Sequence, residues 1–106
     1  MIMEIILDDA FDAVVLQNKE PVLVDFFAEW CGPCRQMLPL VEELAVEMAG
    51  KIKVFKMNVD DAPKTPASFD IQTIPTLIIF KDGKMVDKKV GSMTKSQLTD
   101  WVNSCL

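Results

Sequence analysis

Two thiols three positions apart, Cys31 and Cys34 in the run Trp30-Cys31-Gly32-Pro33-Cys34, are the residues of this chain best suited to chemistry. Standing ahead of a helical pattern, they predict a dithiol that closes into a disulfide and reopens. Residues i and i+3 of a first helical turn have Cα atoms roughly 5 to 6 Å apart, inside the range of about 4.4 to 6.8 Å that a disulfide accepts. Oxidation then needs little backbone movement. At a helix N-terminus, unpaired N–H groups and the positive end of the dipole favour a thiolate on Cys31. Pro33 fits an early helical position, where no N–H donor is needed. Cys34, one turn inside, is the more protected thiol. Two other readings of the pair are weaker. A structural zinc site takes four Cys or His ligands, and the chain has three cysteines and no histidine. A permanent staple across so short a loop removes little entropy from the unfolded chain.

The elements that must position this pair can be read on either side of it. Glu4 to Leu7 reads as a short strand, and Asp8 or Asp9 as the cap of a helix carrying Phe11, Val14, Val15 and Leu16. Val22 to Phe27 is a run of β-branched and aromatic residues, hence a central strand buried on both faces, and the dithiol follows it directly. Met37, Val41, Leu44 and Met48 recur at helical spacing as far as Gly50, with a kink expected at Pro39. Ile52 to Val59 is a further strand, and Asp60 to Phe69, with Pro63 and Pro66, has room for a short helix or turns. Thr76 to Lys81 and Lys84 to Val90 flank Asp82-Gly83, a strong hairpin signal. Thr94 and Gln97 form a capping-box pair opening a last helix with Leu98, Trp101, Val102 and Cys105 on one stripe. The order β-α-β-α-β-α-β-β-α predicts an α/β fold: a mixed sheet of about five strands with helices on both faces and function at the C-terminal end of a central strand.

The chain has 106 residues, half of them apolar, so one hydrophobic core and a single domain over residues 1–106 are expected. A net charge of −5 without a basic stripe argues against nucleic acid and against an anionic membrane surface as partners. Met1 to Leu7 carries no basic residue and is too short for a signal-peptide core or a membrane span. The expectation is a cytoplasmic monomer, a compartment in which a CxxC is catalytic rather than structural.

Asp25 interrupts the apolar run of the central strand. A carboxylate buried there has its pKa raised by desolvation; the plainer alternative is a polar residue that reaches solvent at a strand end. Lys56 shares strand parity with Ile52 and Val54, and parity alone leaves a solvated strand lysine equally open.

Several separate segments together carry a resemblance to the thioredoxin family over essentially the whole chain. They are Val24 to Cys34, Pro39, Lys56 to Asp60, Ile74-Pro75-Thr76, Phe80 with Asp82-Gly83, and Val90-Gly91. The resemblance implies the thioredoxin fold and a thiol–disulfide oxidoreductase that reduces disulfides in other proteins. It would be re-reduced by a thioredoxin reductase, a flavoprotein drawing electrons from NADPH, with no cofactor or metal bound to the chain itself. It assigns Cys31 as attacking nucleophile and Cys34 as resolving thiol. Gly32 and Pro33 tune the redox pair and add no charge. Disulfide isomerases and strong oxidases usually carry His before the second Cys, so the reductant reading is preferred. The matching Asp25 would exchange a proton with Cys34, Lys56 would be its neighbour, and Pro75 would be cis, where base rates alone favour trans. Trp30, Val59, Thr73, Ile74, Pro75, Val90 and Gly91 match the substrate groove; ordinary packing competes as an explanation for Val59, Ile74 and Val90. Arg35 and Glu29 read as tuning local charge.

The chain departs from the common pattern at Phe27, where Trp is frequent, at Asp70, where Gly is frequent, and in the extra Cys105, read here as an inert buried thiol. The seven methionines read as core filler. A different class of function, a binding subunit that grips a partner without turnover, is opposed by the presence of a resolving thiol.

Overall fold

The computed structural model describes residues 3–106. A two-residue β1 at Glu4–Ile5 is followed by β2, Val22–Phe27, whose six residues are all buried. β3 spans Lys53–Asn58, β4 Thr76–Lys81 and β5 Lys84–Val90. They form one sheet in the order β1-β3-β2-β4-β5, with β2 parallel to β3 and antiparallel to β4.

Alternation along β2 divides the core. Leu23 joins Leu77 and Ile79 on the face covered by α2 (Gly32–Glu47) and α4 (Lys95–Cys105), which contribute Met37, Val41, Leu44, Leu98, Trp101 and Val102. Val22, Val24 and Phe26 lie on the other face with Ile78 and Phe80, against Phe11, Val15 and Ala62. Such a central strand is apolar at nearly every position because both of its faces are covered. The α/β fold expected from the element order is the one formed: a mixed five-strand sheet flanked by helices on both faces.

Local signals act as anticipated where their partners are near in sequence. Asp82 and Gly83 have φ of 53° and 77°, the positive pair that a two-residue type I′ turn needs. The side chain of Thr94 accepts from the Gln97 N–H at 3.1 Å, and Gln97 Oε1 accepts from the Thr94 N–H at 2.9 Å, closing the capping box.

Four expectations are corrected. Strand β1 is shorter than Glu4 to Leu7, since only Glu4 and Ile5 pair with β3. The first helix, α1 at Asp8–Phe11, widens into a π-helical turn over Asp12–Leu16, and Leu7, not an aspartate, stands at its cap position without a side-chain bond. Asp8 instead caps α3 (Lys64–Ser68), accepting from the Lys64 N–H at 3.0 Å and from the Thr65 N–H and hydroxyl at 2.8 and 2.7 Å. Finally, Met85 is exposed on β5 and Met93 half-buried, so the methionines are not all core filler, although Met3, Met37, Met48 and Met57 are. Helix α2 continues through the exposed Pro39, ends at Glu47, and is followed by a reversal at Gly50 with φ of 89°.

Candidate active site

Strand β2 delivers the chain to the site, and the N-terminus of α2 holds it there. Cys31 is the N-cap of α2 with extended backbone, and its sulfur accepts from the Cys34 N–H at 3.2 Å, meeting one of the donors that a helix start leaves unpaired. Gly32 and Pro33 fill the first helical positions, where the proline's missing N–H costs nothing. Cys31 and Cys34 are joined as a disulfide, their Cα atoms 5.2 Å apart. Cys34 is 0% exposed, whereas Cys31 keeps 5% of its surface. Phe27, Ala28, Leu38, Val59 and Ile74 pack around the pair.

The other candidate groove residues converge on Cys31 from three loops. The Ile74–Pro75 peptide is cis, and the Ile74 carbonyl oxygen lies 3.8 Å from Cys31 Sγ. Thr73 is exposed, and its carbonyl is tied down by the Thr76 hydroxyl at 2.5 Å. The Gly91 N–H donates to the Pro75 carbonyl at 2.8 Å, which places Val90 and Gly91 beside the cis-proline turn. The Val59 N–H donates to the Phe27 carbonyl at 2.9 Å and brings the loop after β3 to the dithiol. Val90 and Trp30 remain 57% and 68% exposed, unusual for such large apolar side chains. The indole N–H of Trp30 donates to Asp60 Oδ2 at 2.9 Å. Residue-by-residue reading had no signal for Asp60 as Trp30's partner, because thirty positions separate the two and no local pattern links them.

Asp25 is 0% exposed, and neither carboxyl oxygen has a hydrogen-bond partner among the described residues. Strand parity places it on the face of Leu23 and Phe27, between the cluster that holds Met37 and the cluster that holds Cys34. It therefore lies under α2. Lys56 is its direct cross-strand partner in the parallel β2–β3 pair. Desolvation pushes the Asp25 carboxyl up from 3.8 to about 7, and the charge of Lys56 opposes that rise without cancelling it. The Lys56 ammonium also lies 5.7 Å from the centre of the Phe27 ring, so phenylalanine at this departure from the common pattern still offers a π-face. Cys105 is half-buried at the end of α4 rather than fully enclosed, and it packs at the edge of the α2–α4 core.

Among the described residues no group of three or more acidic, Cys or His side chains is placed to hold a metal ion, and no helix is long and apolar enough to cross a membrane. The thioredoxin family profile matches residues 2–104. Among curated relatives, the thioredoxin of Acidithiobacillus ferridurans is 50% identical over 99 residues, spanning 93% of this chain and 92% of its own. That of Haemophilus influenzae is 48% identical over 96 residues, covering 91% and 90%. That of Rickettsia conorii is 46% identical over 101 residues, covering 95% and 96%.

Proposed function

The chain belongs to the thioredoxin family and is a thiol–disulfide oxidoreductase that reduces disulfides in other proteins, and on that premise we propose how its residues divide the work. The Cys31 thiolate attacks one sulfur of a substrate disulfide, forming a mixed disulfide and releasing the other substrate sulfur as a thiolate. Cys34 then gives up its proton and attacks Cys31 Sγ. The second substrate sulfur departs, and the Cys31–Cys34 disulfide is left behind. Two electrons pass from the dithiol to the substrate, with two protons to balance them.

The observation that supports this order is the difference in access, since Cys31 holds the cap position and keeps 5% of its surface while Cys34 keeps none. Asp25 is the base for Cys34, because a carboxyl whose pKa lies near neutrality is matched to accepting and returning a proton at that pH. Lys56 keeps that value from rising further. Gly32 and Pro33 tune the pair by adding no charge to it. Trp30, Val59, Thr73, Ile74, Pro75, Val90 and Gly91 form the groove for an extended substrate segment. Electrons come from NADPH through a flavoprotein thioredoxin reductase, and the chain binds no cofactor of its own. It acts in the cytoplasm as a monomer of one domain, residues 1–106, and engages neither nucleic acid nor membrane.

Paired variants test the division of roles. Cys34→Ser should accumulate stable mixed disulfides on Cys31 with a protein substrate, visible on non-reducing gels, and Cys31→Ser should accumulate none. Equal trapping by the two variants would reverse or abolish the assignment.

A further inference from the structure

The two ends of the sheet carry opposite charge. β2 and β3 end, β4 begins and β5 ends at the same edge, so the loops 28–31, 59–63, 70–75 and 91–94 gather around the dithiol. These loops carry Glu29, Asp60, Asp61 and Asp70, all exposed; the cations beside them are Arg35 in the first turn of α2 and Lys88 and Lys89 near the end of β5, with the Lys88 ammonium donating to the Phe69 carbonyl at 3.5 Å. Lys64, at the start of α3, is also exposed, and Asp8, Asp9 and Asp61 line the same pocket and outnumber it. At the far edge, in segments 17–21, 48–53 and 81–84, Lys19, Lys51, Lys53, Lys81 and Lys84 are exposed and only Glu20 and Asp82 oppose them. The acidic edge is continuous with the apolar surface a substrate must touch, since Asp60 holds the indole of Trp30 at 2.9 Å and Trp30 is itself largely exposed.

We propose that this acidic rim is a specificity surface, and that the partners it selects are proteins whose target disulfide is set among lysines and arginines. The proposal rests on reduction of protein disulfides by Cys31 and Cys34. Opposite charge around the two reacting centres raises the frequency of productive encounter, and like charge suppresses it. The lysines of the far edge add to the effect, because a molecule polarised along its sheet turns its negative, dithiol-bearing end toward a cationic surface. The selection acts on approach, so it belongs in kcat/KM and in its salt dependence rather than in the exchange step. It weakens once ionic strength brings the screening length down from about 30 Å at 0.01 M to about 3 Å at 1 M.

The test uses two peptides with the same intramolecular cystine, flanked in one by lysines and in the other by glutamates. The pre-reduced protein is mixed with each in single turnover, and each rate is divided by that of dithiothreitol with the same peptide, which removes the intrinsic reactivity of the disulfide. The lysine peptide should be favoured by about ten-fold or more at 10 mM salt, and the preference should shrink to about two-fold at 0.5 M. The triple variant Glu29→Gln, Asp61→Asn, Asp70→Asn, which leaves the Trp30–Asp60 bond intact, should lose most of the low-salt preference. A far-edge variant, Lys51→Gln with Lys84→Gln, should retain most of it. Equal normalised rates at all salt concentrations, or a preference untouched in the triple variant, would overturn the proposal. Failure to reduce either peptide would instead remove the dithiol reading beneath it, and the proposal with it.

Discussion

Replacing Asp25 by Asn exchanges a titratable side chain for one of the same shape that does not titrate, and stability and activity should respond in opposite directions. The carboxyl has its pKa pushed from 3.8 up to about 7. At about 1.4 kcal/mol for each pH unit between the two values, ionising Asp25 costs the folded state roughly 4 kcal/mol. The direction follows from proton binding. Because the folded pKa is the higher one, the native state holds the proton more tightly, and this favourable contribution is complete below the unfolded value near 3.8. It declines as pH rises and is gone above about 7. The Asn variant lacks this dependence, so the stability gap in its favour should widen steadily between pH 4 and 7 and then level off. Guanidinium melts of the oxidised proteins across that range would measure it. With a slope of roughly 3 kcal/mol per molar, the change in the gap corresponds to a midpoint shift on the order of 1 M. Over the same range, release of the mixed disulfide from the variant should slow for want of a base at Cys34, read in single turnover with a protein substrate. Parallel pH profiles of stability for the two proteins would refute the reasoning, since they would mean that the carboxyl ionises in the fold as readily as in the unfolded chain.

Asp8→Ala should cost about 1 kcal/mol at neutral pH, because α3 loses a cap that pairs two backbone N–H groups and the Thr65 hydroxyl. Burial raises the Asp8 pKa, but the bonds from Lys64 and Thr65 outweigh it and hold the value down. The contribution is therefore present above the unfolded value and lost as pH falls through the folded one, and melts that differ equally at pH 7 and pH 2 would contradict this. Gly83→Ala should destabilise by about 1 to 2 kcal/mol and more than Gly50→Ala. Both glycines have positive φ, but only at position 83 would the new Cβ meet a backbone oxygen, that of Leu16 at 3.0 Å; equal losses of midpoint would show that the close approach does not matter. Cys105→Ser should leave insulin-type reductase turnover unchanged, because the thiol sits at the end of α4 against the α2–α4 core and not in the groove. A severalfold loss would place it in the reaction.

Most of the architecture was legible from the chain because its signals act over a few residues or along a single element. The i, i+3 spacing of Cys31 and Cys34 sets their separation within one helical turn, the Asp82-Gly83 pair supplies the two positive φ angles of a hairpin, and Thr94 with Gln97 closes its own capping box. The run Val22 to Phe27, apolar at every position but Asp25, reads as a strand covered on both faces. Asp25 was visible as the interruption of that run, yet its pKa depends on how completely α2 and the neighbouring strands exclude water, which no window of sequence contains. Tertiary structure decided the contacts between distant residues. Asp8 looked like the cap of its own helix and became the cap of α3, more than fifty positions away, because the β1–β3 pairing carries the two helix starts to the same edge of the sheet. The same convergence of strand ends sets the Ile74 carbonyl against Cys31 and the Asp60 carboxylate against Trp30, and the β2–β3 register sets Lys56 opposite Asp25. Sequence determines a property when the interaction that produces it closes within a turn or a strand; where the partner arrives through a sheet register, only the assembled fold can say which polar group meets which.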